Sequence, residues 1–294
     1  MNINLFSRVL VPTDMTAFGD PALKYALQFS ERAGSSLTLL YAEEISWLAA
    51  EHPLGYYFEN VPEARVGLTR KLQDYAASHL PAGASFTTLF EDDAAELAIP
   101  RIAEEIGADL IVMGTHGRHG IRRAFLGSIA ERVLRNTQRP VITVNPSCCA
   151  TTEATRIRTI LCPVNFTNIA RTALEQAAAV AEAFDAQLVV LHVCEGSETR
   201  LFARVEEEFR TWIDPELRAH ARYKEVVVHG DPAEQVLHIA DHVDADLLVI
   251  GAEHRLFANS TIFGSTTERV TRFAKHAVMT VVAGGVRSRD VRAA

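Results

Sequence analysis

The sequence predicts an α/β protein made of two tandem copies of one domain, each a parallel sheet with helices on both faces. The first observation behind this prediction is a duplication. Three segments of the first half return in the second half: RVLVPTD at 8–14 as TILCPVN at 159–165, ADLIVMG at 108–114 as ADLLVIG at 245–251, and GSIAERV at 127–133 as GSTTERV at 264–270. Solenoid repeats are about 20–50 residues long, so this far longer period indicates two complete domains.

The spacing of the repeats predicts the domain limits and one insertion. The first pair is offset by 151 residues and the other two by 137, so the first copy carries 14 additional residues before the 108–114 segment. We place them in the stretch 43–62, which is rich in aromatic side chains (Trp47, Tyr56, Tyr57 and Phe58). That stretch either lines a pocket or covers a hydrophobic surface. We expect the two domains to span residues 1–147 and 156–285.

The second observation is that short apolar runs alternate with helical patterns. The runs at 9–11, 37–40, 110–113 and 141–144 are apolar and rich in β-branched residues, which is typical of strands buried on both faces. Strands that alternate with helices pair in parallel through right-handed crossovers. Each copy is therefore predicted to be an open parallel sheet.

Capping signals predict where several helices begin and end. Asp20 before Pro21 predicts a carboxylate cap, and Gly34 predicts the end of the same helix. Asn168 is the expected counterpart cap in the second copy, and Asp231 before Pro232 predicts the start of a later helix. Pro100 falls inside the helix expected over 93–106, which predicts a kink or a late start.

Composition excludes several classes of protein. A hydrophobic fraction of 48% and a charged fraction of 22% are typical of soluble globular proteins. A net charge of −8 argues against a nucleic-acid surface, which needs clustered positive charge. No apolar run reaches the roughly 18–20 residues that span a bilayer, and the first residues do not resemble a signal peptide. Since the four cysteines form no disulfide framework, we expect a cytoplasmic protein with neither nucleic acid nor membrane as a partner.

The glycine-rich segment after the fourth strand predicts a phosphate-binding site. Ligands of open parallel sheets bind at the carboxyl ends of the strands, where Gly114 and Asp14 are both expected. Glycine lets the backbone approach an anion, and the amides of Ser128 and Ile129 at a helix start carry partial positive charge. A carboxylate at Asp14 suits a nucleoside. The loop also carries four basic side chains that favour polyphosphate: Arg118, His119, Arg122 and Arg123.

Other interpretations of these residues stay open. Gly114 and Gly117 would also permit close packing of a helix on a strand, and the loop arginines would equally suit a solvated loop. We predict no catalytic residues, because the sequence lacks a G-x-S-x-G elbow, a Cys–His pair at a family spacing and paired carboxylates on one helix face. We also predict no metal site at His238 and His242, which lie one helical turn apart without a third ligand.

The order and spacing of these motifs resemble the universal stress protein family. The spacing G-x2-G-x9-G-S, the VPTD after the first strand and RPVITV at 139–144 match that family over essentially the whole chain. The resemblance implies five-stranded parallel sheets, Rossmann-like and similar to adenine nucleotide alpha-hydrolases, with ATP and in some cases Mg²⁺ bound in nucleotide-binding members. The implied nucleotide-binding residues are Pro12, Thr13, Asp14, Ala42, Gly114, His116, Gly117, Arg118, Gly127, Ser128 and Ile129.

The second copy departs from this pattern. Asn165 replaces the aspartate, and His254 places a side chain where backbone should approach phosphate. The remaining candidates for a second site are Asn165, Val193, Gly251, Gly264, Ser265 and Thr266. We therefore expect nucleotide mainly in the first copy.

The resemblance also implies a function and an assembly. The leading hypothesis is an ATP-binding stress-response sensor or regulator. The alternatives are a slow ATPase or phosphotransfer switch in which Ser128 is modified, and a binding module for another phosphorylated or apolar ligand. Because family members associate through their last strands, we expect 141–144 and 278–282 to join the copies as an internal pseudo-dimer. A homodimer of the whole chain is a further expectation.

Overall fold

The computed structural model describes residues 6–43, 61–81, 84–115, 126–146, 156–195, 201–219, 222–252, 255–257, 260–262 and 264–282. Strands and helices alternate in the first half: β1 (Arg8–Pro12), α1 (Asp20–Ala33), β2 (Ser36–Ala42), α2 (Val61–His79), β3 (Phe86–Glu91), α3 (Ala95–Glu105), β4 (Leu110–Gly114), α4 (Ser128–Asn136) and β5 (Val141–Val144).

The second half repeats this order with an additional short helix and a hairpin. Its elements are β6 (Thr159–Pro163), α5 (Asn168–Phe184), β7 (Gln187–Cys194), α6 (Leu201–Trp212), α7 (Pro215–Arg218), β8 (Tyr223–His229), α8 (Pro232–His242), β9 (Leu247–Ala252), β10 (Arg255–Phe257), β11 (Ser260–Ile262), α9 (Ser265–Phe273) and β12 (Ala277–Val282).

The two halves share one ten-stranded sheet. Its strand order is β3-β2-β1-β4-β5-β12-β9-β6-β7-β8, so each half contributes five parallel strands in the order 3-2-1-4-5. The halves meet where β5 and β12 pair antiparallel, with Thr143 opposite Val278 and Ile142 opposite Met279. The prediction that the last strands join the copies is confirmed by this pairing.

Strand register locates the inserted residues. Leu37 pairs with Phe86 in the first half, and its counterpart Leu188 pairs with Tyr223 in the second. The counterparts are therefore 151 residues apart on β2 and β7 but 137 apart on β3 and β8. The 14 additional residues lie between β2 and β3, as expected from the sequence. The aromatic residues assigned to the insertion (Trp47, Tyr56, Tyr57 and Phe58) lie outside the described residues.

The cores on the two sheet faces differ in extent. On one face a single hydrophobic core runs across both halves, and the rings of Phe29 in α1 and Phe184 in α5 meet there edge to face at 5.0 Å. On the other face each half has its own core, although Ala252 and Val282 of the second half pack into that of the first. In the described ranges, no helix combines the length and the apolar character that crossing a bilayer requires.

The capping predictions are partly confirmed. Gly34 ends α1 in the left-handed region (φ 68°), and Asp231 caps α8 by accepting a hydrogen bond from the Glu234 amide at 2.9 Å. The prediction for Asp20 is wrong. Gly19 is the N-cap, and Asp20 instead accepts a hydrogen bond from the Tyr75 hydroxyl at 2.7 Å.

Two further helix predictions need correction. Asn168 is not the cap of α5, because Thr167 precedes it and its hydroxyl accepts from the Ala170 amide at 3.4 Å. The helix α3 begins at Ala95 and continues through Pro100, so a start after this proline is wrong. Pro100 lies beyond the first turn of α3, so the helix lacks one backbone hydrogen bond there.

Candidate functional site

The two segments predicted to bind ligand lie at neighbouring strand ends. In the first half β1 pairs with β2 on one side and with β4 on the other, so the strand order reverses between β1 and β4. Thr13 and Asp14 follow β1 directly, and Gly114 ends β4. This reversal opens a crevice at the carboxyl ends of the strands, which is where open α/β sheets bind their ligands.

A tight turn holds Asp14 at the end of β1. The Thr13 amide donates to the Leu40 carbonyl at 2.9 Å, which ties the turn to β2. Asp14 Oδ1 accepts hydrogen bonds from the Thr16 amide at 3.0 Å and from the Thr16 hydroxyl at 2.7 Å, while Asp14 Oδ2 is buried. Met15 adopts a positive φ of 55° within this turn. One carboxylate oxygen therefore has a structural role, whatever the other binds.

The N-terminus of α4 lies beside the end of β4. Gly127 caps the helix in an extended conformation, and its amide donates to the Thr115 carbonyl at 2.8 Å. That amide fixes the helix start, so it is not a donor for a ligand. The amides of Ser128 and Ile129 belong to the first turn, where no intrahelical acceptor exists, and both residues are exposed. These two amides and the Ser128 hydroxyl are the donors that this segment can offer.

A polar cluster beside Asp14 was not found from the sequence. The Tyr75 hydroxyl of α2 donates to Asp20 Oδ1, and the Tyr75 ring stacks on His79 with centroids 4.2 Å apart. Burial raises the pKa of Tyr75 well above its ordinary value, and the hydrogen bond to Asp20 adds to the shift. The phenol therefore stays a neutral donor. Tyr75 and His79 are 55 and more residues from Asp20 in sequence, so only the fold shows that they meet.

The structure describes only part of the predicted nucleotide-binding residues. Ala42 ends β2, the strand next to β1, and is half-buried there. The loop residues His116, Gly117 and Arg118 lie outside the described residues, together with His119, Arg122, Arg123 and, in the second copy, His254.

The second copy keeps the turn but not its charge. Asn165 Oδ1 accepts from the Thr167 hydroxyl at 2.7 Å and from the Thr167 amide at 3.4 Å, as Asp14 does with Thr16. Phe166 adopts a positive φ of 60°, like Met15. An amide side chain is therefore sufficient for the turn, and the turn gives no reason for a carboxylate in the first copy.

Aromatic side chains fill the carboxyl edge of the second copy. The Phe166 ring lies 4.6 Å from the His192 ring, 5.4 Å from Phe209 and 5.5 Å from Trp212. Arg171 covers Trp212 with its guanidinium 4.5 Å from the ring and donates to the Trp212 carbonyl at 2.6 Å. We call these rings the aromatic cluster (Phe166, His192, Phe209 and Trp212); Val193, the counterpart of Ala42, packs instead with the core on the other face of the sheet. The counterparts of the cluster in the first copy are Met15, Tyr41, Leu72 and Tyr75.

Helix α5 covers the end of β9. A Cβ at Gly251 would lie 3.0 Å from both the carbonyl oxygen and Cγ1 of Ile169, so helix and strand pack closely there and a side chain would press on the helix. Ile169 is 9% exposed, whereas its first-copy counterpart Phe18 is 49% exposed. The side chain at this position is therefore packed in the second copy and largely exposed in the first. Gly251 is the counterpart of Gly114, one of the two glycines for which the sequence offered a packing role.

The remaining second-copy candidates lie at the start of α9. Gly264 is its N-cap, Ser265 is exposed and Thr266 is half-buried. A Cβ at Gly264 would meet nothing within 4 Å, unlike one at Gly251. Gly264 therefore has no packing role comparable to that of Gly251.

Two further sequence features have plain structural settings. Cys162 and Cys194 are buried free thiols in β6 and β7. His238 and His242 are exposed on α8, and no group of three or more metal-ligating side chains occurs within the described ranges.

The strand order and the crevice define a doubly wound α/β protein duplicated within one chain. Regions 5–145 and 156–282 match the model of the universal stress protein family, and the chain belongs to this family. A universal stress protein of Mycolicibacterium smegmatis is 25% identical over 93% of this chain and 96% of its own length. One from Methanocaldococcus jannaschii, MJ0531, is 31% identical over 48% of this chain and 83% of its own length.

A solved structure supports the same fold. A universal stress protein from Archaeoglobus fulgidus superposes with a TM-score of 0.71 at 22% identity, covering 94% of this chain and 98% of that one. The similarity extends over both halves, so the duplicated arrangement is a shared architecture.

Proposed function

We propose that this protein binds ATP in its first copy and acts as a stress-response regulator. The observation that carries the proposal is that Asp14 and the α4 N-terminus follow the carboxyl ends of the neighbouring strands β1 and β4, where the strand order reverses. Helix amides there suit phosphates, and the carboxylate suits a ribose hydroxyl at the other end of the same crevice.

Residue roles follow from this placement. The amides of Ser128 and Ile129 and the Ser128 hydroxyl would hold phosphate oxygens, with Gly114, Gly117 and the basic loop around them. Asp14, Thr13, Pro12 and the backbone of Ala42 would surround the nucleoside. Mg²⁺, when bound with ATP, would neutralise part of the triphosphate charge. Gly127 acts indirectly, because its amide holds the helix start in place.

The second copy is a poorer site for the same ligand. Its turn lacks the charge of Asp14, and Ile169 packs on Gly251 at the end of β9. The asymmetry between the copies therefore supports one nucleotide per chain.

Location and assembly remain proposals of the same kind. A cytoplasmic location rests on the cysteine pattern of the sequence. A homodimer of the whole chain would use a surface other than the last strands, because β5 and β12 already pair with each other.

A matched pair of glycine variants tests the proposal. Gly127→Val and Gly264→Val change equivalent N-caps, and both backbones are extended (φ −62°, ψ 151° and φ −57°, ψ 142°), which valine accepts. Isothermal titration with ATP should give one site per chain in the wild-type protein. We expect Gly127→Val to weaken binding at least about tenfold, since a branched side chain would crowd the phosphates, and Gly264→Val to leave it unchanged.

Two results would contradict the proposal. The first is loss of binding only in Gly264→Val. The second is no measurable ATP binding together with no adenine nucleotide released, by mass spectrometry, from the purified and then denatured protein. Gly117→Val tests the loop in the same titration and should also abolish binding.

A further inference from the structure

A cavity lined by residues of the second copy lies apart from the residues assigned to the nucleotide crevice. It has a volume of about 300 Å³, and three arginines contribute to its lining. We call it the arginine cavity, and it is lined by Arg156, Ile157, Arg158, Phe184, Asp185 and Arg222. Arg158 directly precedes β6 and Arg222 directly precedes β8, so the cavity is at the amino ends of the second-copy strands.

The arginine cavity carries excess positive charge. Arg222 forms an ion pair with Asp185 at 2.9 Å and also donates to the Asp185 carbonyl. The guanidinium groups of Arg156 and Arg158 have no ion-pair partner in the part of the chain that the structure describes. The cavity thus holds two uncompensated positive charges in a chain whose net charge is −8.

Backbone hydrogen bonds fix the segment that carries these arginines. Asp246 Oδ2 accepts from the Arg158 amide at 2.8 Å and from the Thr159 amide at 2.9 Å. The Ile157 amide donates to Gln28 Oε1 at 3.1 Å, which ties the segment to α1 of the first copy. Phe184, also in the lining, packs against Phe29 of α1. The cavity therefore has a built frame at the contact between the two copies.

The first copy has the same backbone hydrogen bonds to an aspartate but lacks the charged side chains of the cavity. Asp109 accepts from the amides of Ser7 and Arg8 at 2.9 and 3.0 Å, as Asp246 does in the second copy. The cavity residues, however, are replaced at the equivalent positions by uncharged ones: Leu5 for Arg156, Ser7 for Arg158, Gly34 for Asp185 and Ser85 for Arg222. Since the fold forms in the first copy without these side chains, folding does not require the arginines.

We propose that the arginine cavity binds a diphosphate group. Guanidinium groups match phosphate oxygens with pairs of parallel hydrogen bonds, and several together favour a multiply charged anion. A volume of about 300 Å³ is at the lower end for ligand pockets, which suits a diphosphate with a small substituent. The group would come either from free pyrophosphate or from a diphosphate ester.

Charge-reversal variants test this proposal. Pyrophosphate is titrated calorimetrically into the full chain carrying Gly127→Val, so that the first-copy crevice does not contribute. Adding Arg156→Glu and Arg158→Glu should weaken binding at least about tenfold, because two charge-assisted contacts become repulsive. Arg204→Glu with Arg210→Glu is the matched control, since these arginines are exposed on α6 and change the net charge equally. If the control weakened pyrophosphate binding equally, the effect would be due to the change in net charge, and the proposal would be overturned.

A variant that is expected to bind pyrophosphate more tightly distinguishes an effect on the cavity from loss of folding. Asp185→Asn frees Arg222 from its ion pair, and asparagine accepts the left-handed conformation that Asp185 adopts (φ 53°). We expect pyrophosphate to bind more tightly to this variant, and unchanged or weaker binding would overturn the proposal. In the same background, competition by ADP would identify a diphosphate ester as the source, and binding of pyrophosphate alone would identify the free anion. Absence of saturable pyrophosphate binding before the arginines are changed also overturns it.

Discussion

Replacing Gly251 by alanine tests whether a motif glycine is retained for packing. Gly251 is the counterpart of Gly114, so the sequence alone suggests a ligand role for both. In the second copy, however, the first turn of α5 lies directly on this position. A Cβ would stand 3.0 Å from the Ile169 carbonyl oxygen, where ordinary contacts are 3.4–4 Å. The oxygen is backbone, so relief requires a shift of the helix by a few tenths of an ångström.

The expected loss of stability is the difference of two effects. Overpacking at a buried position typically costs about 1–3 kcal/mol. Replacing a glycine within a strand restores about 0.5–1 kcal/mol, because alanine loses less backbone entropy on folding. The net loss for Gly251→Ala is therefore about 1 kcal/mol, which lowers the melting temperature of a protein of this size by about 2 °C.

Urea unfolding followed by circular dichroism measures this difference, with Gly264→Ala as the control. Gly264 has open space around its Cβ position and an extended backbone that alanine accepts, so we expect a change within about 0.5 kcal/mol. A Gly251→Ala protein as stable as the wild type would refute the packing argument. The retained glycine would then favour a ligand role in the second copy as well.

Two further predictions concern the core and the buried thiols. Phe29→Ala should lower the free energy of unfolding in urea by about 3–5 kcal/mol, because it removes a fully buried ring that packs against Phe184 across the two copies. Phe273→Ala, the control at a half-exposed ring, should lower it by about 1 kcal/mol or less. Similar losses for both variants would contradict the shared core. Burial raises the pKa of the Cys162 thiol well above its ordinary value. The free energy of unfolding is therefore unaffected by this thiol below a pH of about 8.5, the ordinary pKa. It falls as the pH rises above that value, because the thiol ionises more readily in the unfolded chain. N-ethylmaleimide at pH 8 should therefore spare Cys162 until the protein unfolds, and mass-spectrometric mapping of label at Cys162 in the folded protein would show this reasoning to be wrong.

Local signals made most of the fold predictable. The strands are short apolar runs, and their repetition at two offsets located both the duplication and the insertion between β2 and β3. The cap at Asp231 was predictable because its partner, the Glu234 amide, is three residues away. The cap at Asp20 was predicted wrongly because its carboxylate is used by Tyr75, 55 residues further along the chain. Sequence patterns indicate hydrogen bonds between residues that are close in sequence. They do not indicate that a side chain from another helix binds the same carboxylate.

The candidate site was also predictable only in those parts that depend on local sequence motifs. Sequence motifs placed Asp14 and the α4 N-terminus at adjacent strand ends, because parallel strands bring their carboxyl ends to one edge. They could not show that the Gly127 amide is used by Thr115, that Tyr75 stands beside Asp14, or that rings fill the second copy. Each of these depends on contacts between segments that are distant in sequence and share no motif.

The two copies show how one frame can diverge toward different tasks. The hydrogen-bonded turns after β1 and β6 and the anchoring aspartates Asp109 and Asp246 are alike in both copies, so these residues maintain the fold. The copies differ at both ends of their strands. At the carboxyl ends the first copy has a carboxylate at Asp14 where the second has Asn165, and the second packs a cluster of four rings. At the amino ends the second copy has three arginines around a cavity, and the equivalent positions of the first copy are Leu5, Ser7 and Ser85. These differences favour two separate anion sites over one active copy and one inert copy.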